Sequence, residues 1–522
     1  DHGVQGPLGV RRVGESEAGV HEVDRRGGRG GGPPGGGSPR GGGARGPARP
    51  QPPDVRRVLR RAWSSLPARL RLLRTVILLL AAALAALLGT AGFAALDAWD
   101  AVADRDAPRT TSAAGLNLAL NDMDAQVANL LLANGDAGRG RLDVPYDKAV
   151  EGYGASRHTI STALRTLSVA AQHDRAAGRT VEDLTENFAR YQELVGRALE
   201  NDARKGGKAA AGDDYRTATD LLQGQLLPEA RELVESNNTA YERHYDAARS
   251  RLTGELIAAV LVGAALLVVL VGLQWHLTRR FRRVFNPGLL AASLCALIAV
   301  VLGCQLLATC SEQLRIARRD AFDSVVALSR AQATAYDANA DESRYLLLKD
   351  RRAQYENSFF VKSQALYGIA GSSLATYDSR LDETWSTYRT DHRTLPFTGE
   401  FRRELDNITF PGERAAAEAA VEAYLVYQRD DRKIRKLVAD GRERQAVDFC
   451  ISWEEGTSNS HFLDLDRELK RVTGINQSHF DQAAEDGRGA VPGALPWIGG
   501  ALGLVGLCTV LGLRPRLAEF RS

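Results

Sequence analysis

Four long apolar runs interrupt an otherwise polar chain of 522 residues. None of the runs contains a charged residue, and each has about the 20 residues that an α-helix needs to cross a bilayer. The predicted membrane spans are residues 75–96, 256–275, 288–309 and 495–513. Trp99, Trp275 and Trp497 lie near the ends of these runs, where aromatic side chains meet the membrane–water interface. The pattern predicts a membrane protein with four transmembrane helices.

The two long stretches between spans, residues 97–255 and 310–494, carry apolar residues at helical spacing. Rows with a seven-residue repeat include Leu226, Leu233, Ala240 and Ala247 in the first stretch and Leu314, Ala321, Leu328 and Ala335 in the second. Such rows form the seam of a helix bundle, and alanine-rich layers let the helices approach closely. Each stretch is divided into four predicted helices by breaks near 134–145, 173–180 and 204–214, and near 349–353, 394–412 and 439–443.

Basic residues are concentrated in three segments that a four-span chain must place on one side of the membrane. These segments are the chain before the first span, the loop 276–287 and the tail 514–522. The loop reads HLTRRFRRVFNP and contains Arg279, Arg280, Arg282 and Arg283. Because arginine-rich loops stay in the cytoplasm, we expect both termini to be cytoplasmic. The predicted fold is an all-α, multi-pass plasma-membrane protein with four transmembrane helices and two extracytoplasmic four-helix bundles.

The chain before the first span has two parts of different character. Residues 1–53 are rich in Gly, Arg and Pro, cannot bury a core and are predicted to be disordered. Residues 54–74 form a basic juxtamembrane segment that either lies as an amphipathic helix on anionic lipid or is a plain positive flank. Pro67 is expected to interrupt this segment. Membrane lipid is therefore one predicted partner, and the four arginines of the loop are candidates for contact with lipid or with a cytoplasmic partner.

A leucine triplet recurs near the end of the first helix of each long stretch. The triplets are Leu130–Leu132 and Leu346–Leu348, and they lie 216 residues apart. The first and third spans are separated by about the same distance along the chain. This spacing predicts that a unit of span, helical domain and span has been duplicated.

The motifs that usually carry catalysis are missing from the sequence. It contains no GxSxG, SxxK, P-loop or kinase-loop signature, so we predict that the protein is not an enzyme. No Cys or His spacing suits zinc, and no cofactor motif occurs. The net charge of +3 gives no global field for nucleic acid. The spans lack the ionisable residues that mark an ion or proton path, which argues against a transporter.

One polar cluster in the second long stretch is a candidate switch or ligand contact. Asp341, Glu342 and Arg344 occur together in ANADESRYLLL. Glu342 continues the row that runs from Leu314 to Ala335, so its carboxyl is predicted to face the bundle core. A buried carboxylate is costly without a partner. The cluster is therefore either a functional contact or a structural feature. The structural feature would be a salt bridge within the bundle or a solvated distal face.

The alanine-rich bundle between two spans resembles the sensor module of methyl-accepting chemotaxis receptors, with LLLANGD and LVADGRER similar to its distal turns. The doubled plan and ANADESRYLLL resemble actinobacterial four-span sensors of the GlnX type. The resemblance covers residues 70–515 and departs from chemotaxis receptors in lacking a HAMP-like linker, a methylation helix and a kinase domain. It implies partnership with a solute-binding lipoprotein outside and serine/threonine protein kinase G inside, in a system that responds to aspartate and glutamate.

Two functions are carried forward from the sequence. The first is a non-enzymatic signal transducer that senses a small molecule, such as an amino acid, or its binding lipoprotein outside and relays the signal to a cytoplasmic serine/threonine kinase. The alternative is a structural or assembly protein of the cell envelope. A homo-oligomer is compatible with either function.

Overall fold

Most of the residues that the computed structural model describes are helical. The described ranges are residues 66–135, 140–172, 174–281 and 286–518. Within them the β-type pairing is confined to one isolated antiparallel bridge between Gly368 and Thr398. The predicted all-α fold is confirmed.

The first half of the chain forms six helices. They are α1 (Leu66–Trp99), α2 (Ala107–Ala133), α3 (Asp143–Ala170), α4 (Arg175–Ala203), α5 (Lys208–Leu221) and α6 (Leu227–Phe281). The breaks between α2 and α5 fall close to the three predicted turns, and the second lies at 171–174, so that Gly178 belongs to α4. Asp174 begins α4, because its side chain accepts hydrogen bonds from the backbone N–H groups of Ala176 and Ala177 at 2.9 and 3.2 Å.

The second half adds eight helices. They are α7 (Pro287–Arg315), α8 (Asp323–Leu347), α9 (Arg352–Leu366), α10 (Tyr377–Thr390), α11 (Glu400–Asp406), α12 (Glu413–Ala439), α13 (Glu443–Ile451) and α14 (Ser458–Ala518). Four of these, α8, α9, α12 and α14, supply the long helices of the stretch between the third and fourth spans. The short helices α10, α11 and α13 have no counterpart among the seven-residue rows of the sequence.

Helices α1, α6, α7 and α14 are long and apolar enough to cross a membrane. Their outward faces expose large apolar side chains, as lipid-facing surfaces do. These residues include Leu79, Phe93, Ile257, Leu261, Val268, Leu290, Leu294, Trp497, Leu507 and Leu511. The predicted all-α membrane protein is confirmed in this respect.

Small residues bring the spans close together. A Cβ atom added to Gly303 would lie 2.6 Å from the Leu88 side chain, and one added to Gly263 would lie 2.5 Å from the Val300 side chain. Gly499 of the fourth span meets nothing within 4 Å and lies on the outer face of α14. Packing between spans therefore depends on a few glycines that the neighbouring helix approaches directly.

The predicted disordered region, residues 1–53, lies outside the described residues, as does the juxtamembrane segment up to residue 65. The remainder of that segment belongs to α1, which begins at Leu66. Pro67 stands in the first turn of this helix, where a missing N–H is tolerated. From Pro67 the chain continues as one helix into the first span, and the expectation that Pro67 interrupts the segment stays a prediction, because the residues before Leu66 lie outside the described part of the chain.

The span helices continue without a break into the stretches between the spans. The helical run Ala68–Ala133 has 66 residues and Pro287–Leu347 has 61, so each is about 90–100 Å long at 1.5 Å per residue. Each contains a seven-residue π-helical segment, Asp100–Asp106 in one and Ile316–Phe322 in the other. These segments start 216 residues apart, the same offset as the leucine triplets. The shared irregularity supports the predicted duplication.

The two inter-span stretches share a hydrophobic core at the end far from the spans. Helix α2 packs along α8, so the first helix of one stretch lies against the first helix of the other. The core contains Leu131 and Leu132 from the first triplet together with Leu346 and Leu348 from the second. The two helical bundles are therefore joined along α2 and α8.

All five cysteines of the chain are free. Cys310 is buried where α7 leaves the third span, and Cys450 is buried in α13 at the far end of the molecule. The fold is held by apolar packing and polar networks.

Candidate functional site

A buried ion pair joins the two inter-span stretches at the α2–α8 contact. Arg344 of α8 donates from Nε and Nη2 to Oδ2 of Asp124 on α2, at 2.9 and 2.7 Å. Both side chains are fully buried. Because the pair lies at the core that the two stretches share, it forms only when the two stretches are packed together.

Helices α4 and α5 also supply donors to Asp124. The hydroxyls of Tyr191, Tyr215 and Thr219 lie 2.8, 3.0 and 3.3 Å from its carboxylate oxygens. Burial, together with the Asp124 charge, raises the pKa of Tyr191 and Tyr215 well above the usual tyrosine range, so both phenols remain donors. A buried carboxylate with this many donors is fully satisfied.

Arg344 extends the network along its own helix. Its Nη1 donates to Asp341 at 2.6 Å and to Asp337 at 3.2 Å. Lys362 of α9 lies 2.5 Å from Asp341 and 2.7 Å from Asp337, and Arg231 of α6 lies 3.3 Å from Asp337. Three carboxylates thus meet three cations.

The charges in this network stabilise one another against the cost of burial. Burial acts to raise the pKa of Asp337, but Lys362 and Arg344 outweigh it and lower that pKa to about 2. Removing one partner from such a network leaves an uncompensated charge and costs about 3–5 kcal/mol. We call the set Asp124, Asp337, Asp341, Arg344 and Lys362 the Arg344 network.

Glu342 points to a different neighbour from Asp341 and Arg344. It is buried, as its place in the seven-residue row predicts, and its Oε2 accepts from Ser458 Oγ, at the start of α14, at 3.0 Å. Burial and the nearby Asp431 raise the pKa of Glu342 well above its usual value. The three residues of the predicted cluster are all buried, and two of them belong to one network while Glu342 ties α8 to α14.

An open cleft of about 750 Å³ lies at the far end of the molecule, between the two stretches. Its apolar lining includes Leu131, Leu132, Leu346 and Leu347 from the two leucine triplets. Leu131 follows Asp124 by seven residues along α2, or about 10 Å. The cleft and the Arg344 network are therefore built on the same two helices.

Cationic side chains predominate around this cleft. Among the described residues, its lining contains five cations and two acids, namely Lys208, Lys349, Arg352, Arg442, Arg444, Asp202 and Glu443. Glu443 accepts from Lys349 at 2.5 Å and from Arg352 at 2.9 Å. Arg444 is exposed and forms no ion pair within the described part of the chain. The lining has a positive surplus suited to an anionic ligand or an acidic partner surface.

The arginines of the predicted cytoplasmic loop are only partly within the described residues. Arg279 is exposed on α6, and its guanidinium lies 4.5 Å from the centre of the Trp275 ring. The backbone of Arg280 belongs to the same helix. Arg282 and Arg283 lie outside the described residues.

Sequence reasoning missed most of the Arg344 network. Asp124 was detectable, because it stands on the apolar stripe of α2 that contains Leu120, Val127 and Leu131, where a lone carboxylate needs a partner. Tyr191 and Lys362 carry no such signal. An interior tyrosine and a lysine on a polar helix are ordinary residues until the helices are packed.

One family model matches the chain. Residues 98–246 match the family described as the actinobacterial sensor domain. This range contains α2 to α5, α6 as far as residue 246, and therefore Asp124 with its tyrosine partners. No curated protein and no solved structure matches the chain. The first inter-span stretch is thus similar to an actinobacterial sensor domain, and the match points to a sensing role for the protein.

Proposed function

We propose that the protein is a non-enzymatic transmembrane signal transducer. It senses a small molecule, or the lipoprotein that binds that molecule, at the distal cleft. It relays the event to a cytoplasmic partner such as a serine/threonine kinase. The sensor-domain match over residues 98–246 supports the sensing half of this proposal.

The orientation in this proposal follows from charge. The three segments on one side of the spans are rich in arginine, so we place them, with both termini, in the cytoplasm of the plasma membrane. The Arg279–Arg283 region then faces anionic lipid and a cytoplasmic partner. The two inter-span stretches and the cleft face outward.

The observation that carries the proposal is the continuity of the helices. The runs Ala68–Ala133 and Pro287–Leu347 each reach from a predicted span to the leucine triplet that lines the cleft. A ligand that draws α2 and α8 together at the cleft shifts both helices along their length, since packed helices move as rigid elements. The Arg344 network holds the same helices in register between the cleft and the membrane.

The ligand class in the proposal is an acidic amino acid or the surface of its binding lipoprotein. The cationic surplus of the cleft supports an anion, and Arg444, which forms no ion pair with any described residue, offers a guanidinium for a carboxylate. The leucine side chains that line the cleft suit the methylene groups of a small side chain. Lys349 and Arg352 are already held by Glu443, which presets their positions.

The test uses the full chain in lipid nanodiscs titrated calorimetrically with L-aspartate, L-glutamate and the neutral control L-glutamine. We expect saturable binding of the acidic amino acids and a loss of at least about tenfold in affinity in Arg444→Gln, because a charge-assisted contact is removed. Arg467→Gln, an exposed arginine on α14 outside the cleft, is the matched control and should bind as the wild type does.

A second arm tests the macromolecular partner and the relay. If neither amino acid binds, the same nanodiscs are incubated with the membrane lipoprotein fraction and probed for a captured solute-binding lipoprotein. Cross-linking between cysteines placed at 279 and 514 reports movement of the inner ends of the spans. Absence of amino acid binding, of lipoprotein capture and of any change in cross-linking would overturn the proposal in favour of an envelope scaffold.

A further inference from the structure

Helix α11 is fastened to the joint between the third span and α8. Asn407, at the end of α11, donates from its side-chain amide to the backbone carbonyls of Arg319 and Asp320, at 3.2 Å each. It also donates to Ser324 Oγ at 2.9 Å. The two carbonyls belong to the π-helical segment Ile316–Phe322, so the end of α11 binds the irregular part of the helix that leaves the span.

Two buried carboxyl groups lie next to this contact. Glu404 of α11 and Glu413 of α12 have 2% and 0% of their surface exposed. Oε2 of Glu413 accepts from the backbone N–H groups of Thr409 and Phe410 at 2.7 and 2.9 Å. Among the described residues, no donor meets the other oxygen of Glu413 or either oxygen of Glu404 in good hydrogen-bond geometry, and the polar groups that approach Glu404 are the Ser324 hydroxyl and the Asn476 amide. Within the described ranges, neither carboxyl forms an ion pair with a cation.

The surroundings of the two carboxyls indicate which of them is ionised. Two buried carboxylates without a cation cannot both ionise, because each disfavours the charge of the other. Glu413 has two N–H donors and stands at the N-terminus of α12, where the helix dipole favours an anion. Glu404 has neither, so Glu404 holds the proton and its O–H is the natural donor to the orphaned oxygen of Glu413.

We propose that Glu404 and Glu413 form a proton-binding site that keeps α11 on the π-helical segment, and that loss of the proton releases α11 from the third-span helix. Ionised Glu404 would be a second buried anion beside Glu413. The least costly relief is movement of the short helix α11 toward water, since α11 contributes Phe401 and Leu405 to the core, whereas α12 and α14 each contribute more residues to it. Asn407 would move with α11, and the carbonyls of Arg319 and Asp320 would lose the hydrogen bonds from its amide.

Burial and the charge of Glu413 raise the pKa of Glu404 to about 8, so the proton is exchanged close to neutral pH. Other charged or titratable side chains on the elements packed around the pair have partners of their own. The ion pairs are Asp323 with Arg318, Asp320 with Arg315, Glu400 with Arg403, Asp406 with Arg402, and Arg330 with Glu235. Arg414 donates to the Tyr388 hydroxyl, and His479 stacks on Phe410. From α8 and α14 the neighbours of the Glu404 carboxyl are the uncharged Ser324 and Asn476.

Hydrogen–deuterium exchange of the full chain in nanodiscs tests the proposal, with rates corrected for chemical exchange. Between about pH 6 and about pH 9 we expect exchange in peptides that cover α11 and the π-helical segment to rise at least tenfold in the wild type. Glu404→Gln mimics the protonated acid and should stay protected at both pH values. His479→Gln is the control and should respond as the wild type does.

An infrared titration of the carboxylic acid band provides a second readout that does not depend on exchange. Glu404→Gln should remove one buried acid that titrates near pH 8 in the wild type. Glu413→Gln should move its midpoint to lower pH, because the repelling charge is gone. Equal pH responses in wild type and Glu404→Gln, or a response abolished by His479→Gln, would overturn the proposal. This site is independent of the distal cleft, so either can fail alone.

Discussion

Nη2 of Arg344 lies 2.7 Å from Oδ2 of Asp124, although the two residues are 220 positions apart in the chain. The pair connects the sensor-like first stretch to the second stretch at the point where α2 and α8 meet. Because both side chains are fully buried, the contact exists only while the two stretches are packed together. The ion pair therefore couples the two helical bundles to each other.

The first prediction concerns the energy of this pair. Arg344→Met leaves Asp124 buried without its cation, so the free energy of unfolding should fall by about 3–5 kcal/mol. Chemical denaturation of the full chain in nanodiscs, followed by tryptophan fluorescence, measures this change. The double variant Asp124→Asn with Arg344→Met should recover part of the loss, because no unpaired charge remains.

The control for this prediction is Arg467→Met. Arg467 pairs with Asp464 on an exposed helix face, where an ion pair contributes about 0–1 kcal/mol. Equal effects at Arg344 and Arg467 would show that the buried network does not hold the two stretches together.

The second prediction concerns pH and Glu404. Its folded-state pKa of about 8 lies above the ordinary value of 4.5. The folded protein therefore binds the proton more tightly than the unfolded chain, and stability from Glu404 is fully present below about pH 4.5. Stability should fall as pH rises from there to about 8 and level off above it. Glu404→Gln should flatten this part of the pH profile of the free energy of unfolding; an unchanged slope would contradict the assignment.

The third prediction concerns packing beside the spans. A Cβ on Gly487 of α14 would overlap the ring of Trp99, whereas one on Gly489 meets nothing within 4 Å. Gly487→Ala should therefore destabilise the protein by about 1–3 kcal/mol through overpacking. Gly489→Ala should stabilise the helix by up to about 1 kcal/mol, because alanine is the better helix former.

Thermal unfolding in nanodiscs compares these two variants. Trp99→Ala should relieve the defect of Gly487→Ala, because it removes the ring that the new methyl group meets. Loss of stability in Gly489→Ala as large as in Gly487→Ala would mean that the Trp99 contact is not the cause.

The fourth prediction concerns orientation. A cysteine in place of exposed Glu383 on α10 should react with a membrane-impermeant maleimide on intact cells. A cysteine in place of Arg279 should react only after the membrane is opened, since basic loops are retained inside. Mass shift of the labelled protein on a gel measures both. The reverse labelling pattern would mean that the protein has the opposite membrane orientation, with the cleft in the cytoplasm.

Local features of the sequence determined the spans and most of the helix breaks. A membrane helix satisfies its own backbone hydrogen bonds and needs only a sufficient run of apolar residues, so its position is readable from composition alone. The breaks near Gly135 and Gly441 are readable because both residues adopt positive φ, which glycine tolerates. The duplication was predicted from a 216-residue offset, and the paired π-helical segments repeat that offset.

The seven-residue rows predicted that Glu342 lies in the core, as it does, although α8 is buried on every side from Asp337 to Leu346. They could not determine what Glu342 meets there, because the rows describe one helix at a time. Tertiary structure decided that Asp124 meets Arg344, that Lys362 reaches Asp341, and that Glu404 lies beside Glu413. Each of these contacts depends on which helix faces pack together across long stretches of chain, and a polar side chain acquires its energy only from the partner that this packing supplies.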